Sequence, residues 1–452
     1  MTHSGEFWCR LDRYGTKTAL YTPEGELTYV QLEHAVTRQA AALRRLSPVK
    51  QAVALLQVSQ TSDSVINYLA CLRTNIVPLL LPDNLDENAL HVFQRKLAAN
   101  LHVSDSACKV VGTEQHTIDS KLALLMTTSG STGAGKCVAL SAKNLCANAK
   151  SILAYLPANS TDTTLLSMPL SYSYGLSVLN THLTIGASIV LSDLSPFDRQ
   201  FWTLLADRSI ASISGVPQWY RMLLRMRFTQ QHLPALRYIT QAGGKLSEAE
   251  VETLAKYAHA TDKQFFVMYG QTEATARMAF LSPDKVLAKP GAVGQPVPGG
   301  EFKLARSGEA QEQAGELCYR GDNVMLGYVD NCTELAHFAP PEWLNTGDIA
   351  SIDRDGDVTI VGRLKRFIKV AGERVNLDAL ETVLIDNGHD VRCAGKDDRL
   401  IVAVLKHSKP GQLTALIPIP ARNVQYVELE HWPMLSNGKV DYQLINRLAE
   451  NK

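Results

Sequence analysis

At 452 residues the chain is too long for one ordinary hydrophobic core and suits two or three packed units. Hydrophobic residues make up 45% and charged residues 20%, the balance of a soluble globular protein, and 45 basic against 45 acidic side chains give a formal charge of zero. Neutrality supplies no electrostatic basis for nucleic acid or a membrane surface as a partner, so neither is expected.

The opening MTHSGEFWCRLDRYG has no apolar signal-peptide core. The longest apolar stretch, 65–82, is interrupted by Asn67, Arg73 and Asn75, so no transmembrane span is expected. The eight cysteines are scattered, without C-x-x-C or a His at metal spacing. They read as small buried hydrophobes in a reducing compartment, and a cytoplasmic location is the expectation.

In chain order, Thr28 can cap a helix with Gln31, and Leu32, Val36, Ala40 and Leu43 then share one helical face. Short apolar runs follow at 53–56, 76–81, 122–126, 164–168, 188–191, 212–216, 238–242 and 265–269. Most are separated by enough chain for a crossover helix. This rhythm predicts an α/β fold whose large N-terminal domain holds stacked, mainly parallel sheets buried on both faces. After Tyr269 the texture changes. Gly and Pro cluster at 290–300, and strand-like pieces at 315–319, 350–352 and 358–361 alternate with turns such as Asp355-Gly356. That pattern predicts a β-rich subdomain over about 290–364. A mixed α/β pattern then resumes to the end, one small domain in length.

Four segments carry chemistry. The run TTSGSTGAGK, 127–136, follows an apolar strand; its glycines let backbone N–H groups approach a polyphosphate, and its hydroxyls and Lys136 add donors and charge. It also fits G-x-x-x-x-G-K-[ST], except that Cys137 stands where a Mg²⁺-binding hydroxyl belongs, and a thiol is a poor Mg²⁺ ligand. The segment MYGQTE, 268–273, ends a strand with an aromatic face for a base, then a hydroxyl and a carboxylate suited to phosphate and Mg²⁺. NTGD, 345–348, and GRLKRFIKVAGER, 362–374, bring an acid and an arginine able to grip a ribose diol. The fourth is Lys439, in a Ser-Asn-Gly turn near the C-terminus. Read singly, each also has a bland explanation as a surface turn or a solvated charge.

Together, and in this order, TSGSTGAGK, YGQTE, GELCYRGDNVMLGY, NTGD, GRLKRFIKVAGERV and NGK resemble the motifs of the adenylate-forming superfamily. That superfamily includes acyl- and aryl-CoA synthetases, peptide-synthetase adenylation domains and luciferases, and the likeness runs from about 15 to 445. The resemblance implies a large domain over 1–364 and a small mobile α+β domain over 365–452. It implies that Thr128, Ser129, Gly130, Ser131, Thr132, Gly133 and Lys136 bind the ATP phosphates, with Gly135 where the family usually has Pro. Tyr269 is implied to stack on adenine, and Asp348 and Arg363 to clamp the ribose. Thr272 is implied to meet the α-phosphate, Glu273 to bind Mg²⁺, Lys365 to be the hinge, and Lys439 to be the catalytic lysine.

The implied activity is ATP-dependent activation of a carboxylic acid as its acyl-adenylate, then transfer to the thiol of CoA or of phosphopantetheine on an acyl carrier protein. The segment MPLSYSYGLS, 168–177, is similar to the family's P-x-x-H-x-x-G, with Tyr172 replacing His. Ser173 aligns where amino-acid-activating relatives place an Asp. A serine cannot neutralise a buried ammonium, so an ordinary α-amino acid is disfavoured as substrate. Tyr172, Ser173, Tyr174, Val216, Gln241, Gly243 and Gly244 are the leading acyl-pocket candidates, with Ser177, Pro217, Gln218 and Ala242 beside them. The C-terminal segment is shorter than usual for the family, and 404–433 is expected to lack a full helix. Two alternatives stand beside the ligase: an adenylating enzyme with another acceptor, and a non-catalytic nucleotide-binding relative.

Overall fold

A computed structural model of the chain describes residues 6–128, 136–305, 314–370, 373–406, 413, 416–435 and 439–450. Two compact units emerge, the first from Met1–Pro290, Pro296–Glu301 and Arg320–Leu344, the second from Gly291–Gln295, Phe302–Tyr319 and Asn345–Lys452.

In the first unit, helix Tyr29–Leu46 starts at a capping box: Thr28 Oγ1 accepts from the Gln31 N–H, and Gln31 Oε1 from the Thr28 N–H. Leu32, Val36, Ala40 and Leu43 form its buried stripe, as their spacing predicts. One sheet has a parallel centre running, in spatial order, through Gln264–Tyr269, Tyr238–Gln241, Ser212–Gly215, Thr163–Leu166, Ser188–Leu191 and Thr18–Thr22. Strands Ala279–Leu281 and Gly25–Thr28 add antiparallel neighbours. The other sheet pairs Leu122–Thr127, Ile76–Pro82, Ala52–Val58 and Leu101–Val103 in parallel. Cys137–Ser141 and then Gly327–Val329 extend it antiparallel on one side, and Cys108–Val110 on the other.

The short apolar runs are therefore strands, and Ser212–Gly215 and Tyr238–Gln241 are buried at every position. Each aliphatic side chain so enclosed contributes ~1.5–3 kcal/mol. The antiparallel edge strands are what the apolar rhythm alone does not reveal. The cysteines need a correction. All eight are free thiols, and Cys71, Cys137, Cys318 and Cys393 are buried, but Cys9, Cys146 and Cys332 are only partly so and Cys108 is exposed. Cys108 lies on a short edge strand whose three residues all face solvent.

In the second unit, Glu301–Ala305, Ala314–Arg320, Leu344–Ile352 and Val358–Arg363 form a four-stranded sheet, the β-rich texture expected for this region. The last two strands are joined by a turn in which Asp353 Oδ1 accepts from the Asp355 and Asp357 N–H groups and Gly356 takes φ +81°. Next come the hairpin Phe367–Val370/Glu373–Asn376 and helix Leu377–Asp386, capped by Asn376. Val391–Lys396, Arg399–Leu405 and Val424–Leu429 build a three-stranded sheet, followed by helix Tyr442–Glu450. Between 404 and 433 the described residues form a 3-10 turn, Ala421–Asn423, and the strand Val424–Leu429.

Candidate active site

The loop between Thr127 and Cys137 joins two antiparallel strands, in which those residues are directly paired. A P-loop leads from a strand into a helix, so the topology removes that reading. Cys137 is itself fully buried in its strand, with its thiol pushed up to about 11 by burial, and is no metal ligand. Ser129, Gly130, Ser131, Thr132 and Gly133 lie outside the described residues, whereas Thr128 and Lys136 flank them.

The strand Gln264–Tyr269 delivers the second motif. Its last residue, Tyr269, pairs with Ala279 and is only partly buried. The chain then folds back so tightly that a Cβ on Gly270 would lie 1.6 Å from the Ala276 carbonyl oxygen. Only glycine fits. Thr272 and Glu273 stand on the 3-10 turn Thr272–Ala274. It closes through Thr275, a β-branched residue at φ +66° whose N–H donates to the Thr272 carbonyl and whose hydroxyl donates to the Asn323 carbonyl. Such a conformation costs about 1–3 kcal/mol and persists because its surroundings enforce it. Asn323, itself buried, donates to the Ala274 and Arg277 carbonyls at 2.9 and 2.8 Å and fixes the turn from the other side.

This geometry predicts that Gly270→Ala folds but loses ~10²-fold in acid-dependent AMP formation, because the turn and its two side chains shift by about an ångström. Steady-state assay and circular dichroism check it; wild-type activity would mean that the turn's position is irrelevant.

Around this turn the first unit gathers three of the motifs. Ser173 Oγ lies 3.2 Å from Thr272 Oγ1, which joins the segment MPLSYSYGLS to the turn. Glu273 Oε1 accepts from the Tyr328 hydroxyl at 2.9 Å, and Lys136 Nζ stands 5.7 Å from the Tyr328 ring centroid. Burial, and then the carboxylate beside it, raise the Tyr328 phenol well above its ordinary range. Tyr328 reaches this position because its strand pairs with the one that follows Lys136, with Tyr328 opposite Val138. The Met325 N–H also donates to the Glu273 carbonyl. The sequence alone gives Asn323 and Tyr328 no task; the motif GELCYRGDNVMLGY that holds both is the signal available for them.

Of the pocket candidates, Tyr172, Val216 and Gly243 converge. A Cβ on Gly243, whose φ is +84°, would meet Tyr172 Oη at 2.4 Å and Val216 Cγ1 at 3.2 Å. Gly244 packs on Pro217, and Gln241 turns inward to donate to the Gly244 carbonyl at 2.7 Å. Tyr174 is buried too, its hydroxyl on Thr240 at 2.9 Å.

In the second unit, antiparallel pairing places Asp348 opposite Arg363, with Nε 3.0 Å from Oδ1. Asp348 is 2% exposed and the Arg363 side chain 56%, so the acid is anchored and the guanidinium faces outward. Lys365 lies in the 3-10 turn Leu364–Arg366. Lys439 is partly buried and its carbonyl accepts from the Leu435 N–H at 2.8 Å. Among the described residues no helix is long and apolar enough to cross a membrane.

Residues 104–329 match the family model described as AMP-binding enzyme. The chain belongs to that family. It is 31% identical over 290 residues to the oxalate–CoA ligase of Arabidopsis thaliana, covering 63% of this chain and 55% of the relative. It is 33% identical over 309 residues to the luciferin 4-monooxygenase of Photinus pyralis, covering 64% and 55%. The chain thus matches about half the length of these curated relatives. Its fold is that of o-succinylbenzoate CoA synthetase from Bacillus subtilis, solved in complex with the acyl-adenylate intermediate OSB-AMP: TM-score 0.80, 23% identity, 98% of each chain covered.

Proposed function

We propose that the chain is an AMP-forming acid–thiol ligase, which activates a carboxylic acid with ATP and passes the acyl group to the thiol of CoA or of a carrier-protein phosphopantetheine. The observation that carries this reading is the contact of Ser173 with Thr272, beside a Glu273 that Tyr328 orients. That contact sets two hydroxyls and a carboxylate together at the end of one strand, which supports reading this as the place where acid and α-phosphate meet. The likeness to a CoA ligase agrees with it.

A carboxylate is a weak nucleophile, and it must approach a polyphosphate that carries the same sign of charge. In-line attack on the α-phosphorus therefore requires held geometry and positive charge. Thr272 takes the α-phosphate as a hydrogen-bond donor, Tyr269 offers its ring to the adenine, and Asp348 with Arg363 takes the ribose hydroxyls. Thr128, Lys136 and the loop between them take the β- and γ-phosphates. Glu273 supplies hard oxygen ligands of the kind Mg²⁺ prefers, and a bound Mg²⁺ would neutralise phosphate charge. Tyr328 fixes that carboxylate by donating to one of its oxygens.

Lys439 adds positive charge to the adenylation step, and residues 365–452 turn about Lys365 to withdraw it before the thiol arrives. Proline fixes φ near −65°. Lys365→Pro is accordingly expected to keep adenylation within ~10-fold of wild type and to lose more of the thiol-transfer step. Transfer from a supplied acyl-adenylate measures it, and unimpaired transfer removes the hinge.

The reading as a whole is tested by following AMP and pyrophosphate over a panel of short, medium, long and aromatic acids, with CoA, holo-carrier protein and hydroxylamine as acceptors. AMP released with one acid class and accelerated by a thiol is the expected result. ADP as the nucleotide product overturns it.

A further inference from the structure

Arg277, four residues beyond Glu273, is 2% exposed. Its neighbours are neutral. Nη2 donates to Ser177 Oγ at 3.3 Å, Nη1 lies against the Met268 thioether, and the guanidinium carbon is 4.1 Å from the Tyr174 ring centroid. The Tyr155 hydroxyl, which also donates to the Met268 sulfur at 3.3 Å, lies at its head, and His182 and Tyr238 are near enough to feel its charge. Buried Nε has no hydrogen-bond partner, and no carboxylate pairs with this side chain among the described residues. A guanidinium presents five donors in a planar fork, matched to a carboxylate. A thioether, two hydroxyls and an aromatic face give that fork no carboxylate and leave Nε without a partner. Charge buried without a counter-ion is costly and rare unless something pairs with it.

The position of Arg277 says what that something is. Ser173 and Ser177 lie one turn apart on the same face of helix Ser173–Ile185. Ser173 touches Thr272, the hydroxyl at the reacting end, and Ser177 touches Arg277. Ser177, the partner of the guanidinium, thus lies about one helical pitch, ~5.4 Å, along that helix from Ser173 and its contact with Thr272. We infer that Arg277 is a specificity-determining residue that pairs with a second carboxylate on the acyl substrate, so that the substrate is a short dicarboxylic acid activated at the end distant from Arg277. Ser177, whose hydroxyl donates to the Tyr174 carbonyl at 2.7 Å, keeps its oxygen turned to the guanidinium and orients it. A monocarboxylic acid of the same length would bury its apolar end against an unpaired cation.

This inference rests on the ligase reading, and the experiment separates the two. Acid-dependent pyrophosphate exchange is measured for succinate, glutarate and adipate against butyrate, valerate and hexanoate, with wild type, Arg277→Met and Arg277→Lys. A thermal-shift titration with the same six acids is run in parallel. Wild type is expected to favour at least one diacid over its matched monoacid by at least ~10²-fold in kcat/KM. Arg277→Met abolishes that preference while keeping or improving monoacid turnover, Arg277→Lys retains part of it, and the diacid-specific thermal shift disappears in Arg277→Met. Equal use of diacid and monoacid by wild type overturns the inference and leaves the ligase standing. Loss of both acid types in Arg277→Met, with the wild-type preference absent, overturns it as well, since Arg277 is then a packing residue. No exchange with any acid sinks the ligase reading, and the thermal shift then decides whether Arg277 still selects a second carboxylate.

Discussion

Lys439→Ala is expected to lower acid-dependent AMP formation by ~10²–10³-fold while thioester formation from a supplied acyl-adenylate continues near the wild-type rate. The asymmetry follows from charge. The proposed adenylation step draws an anionic carboxylate onto an anionic phosphate, and an ammonium group brought to them would offset the charge that accumulates between them. In the second step the acyl group is already joined to AMP as a mixed anhydride and the thiol displaces AMP with no polyphosphate present, so the same ammonium has little left to stabilise. Lys439 occupies the turn next to the Met434–Val440 bridge, an arrangement whose backbone contacts do not depend on its side chain. Truncation is accordingly expected to spare the fold. Single-turnover assays of the two half-reactions measure the split; an equal loss in both would remove the role assigned to Lys439.

Glu273→Gln is expected to cost about as much, ~10²-fold or more in AMP formation, with a higher Mg²⁺ concentration needed for half-maximal activity. This substitution is unusually clean. Glu273 accepts from the Tyr328 hydroxyl through Oε1, and the Gln carbonyl oxygen can accept the same hydrogen bond, so the turn keeps its shape and loses only its charge. The Met325 N–H still donates to the backbone carbonyl. A Mg²⁺ titration at saturating ATP and acid reads the effect. An unchanged Mg²⁺ dependence with full activity would show that the carboxylate holds no metal.

Much of this was legible in the sequence, for identifiable reasons. Fully buried parallel strands leave continuous apolar runs, and each run in the first 269 residues corresponds to a strand, since burial on both faces admits few other residues. The helix at Tyr29 was readable because Thr28 and Gln31 satisfy backbone donors locally. What escaped was non-local. Nothing in the local pattern says that 327–329 pairs beside 137–141, yet that pairing brings Tyr328 to Glu273 and Lys136. Asn323 reads as a loop residue until its two carbonyl partners, 46 and 49 residues away, are seen. Arg277 looks like one more solvated charge, and only the fold shows it buried among neutral groups. The local pattern offers Tyr174 and Gln241 as pocket candidates without their partners, and the fold gives these as Thr240 and the Gly244 carbonyl.

The most direct test of the central claim is acid-dependent exchange of radiolabelled pyrophosphate into ATP, with no thiol acceptor present. Reversible formation of an acyl-adenylate predicts label in ATP that requires both the acid and Mg²⁺ and that is lost in Lys439→Ala. Acid-dependent production of ADP and phosphate, with no label entering ATP, would contradict the account.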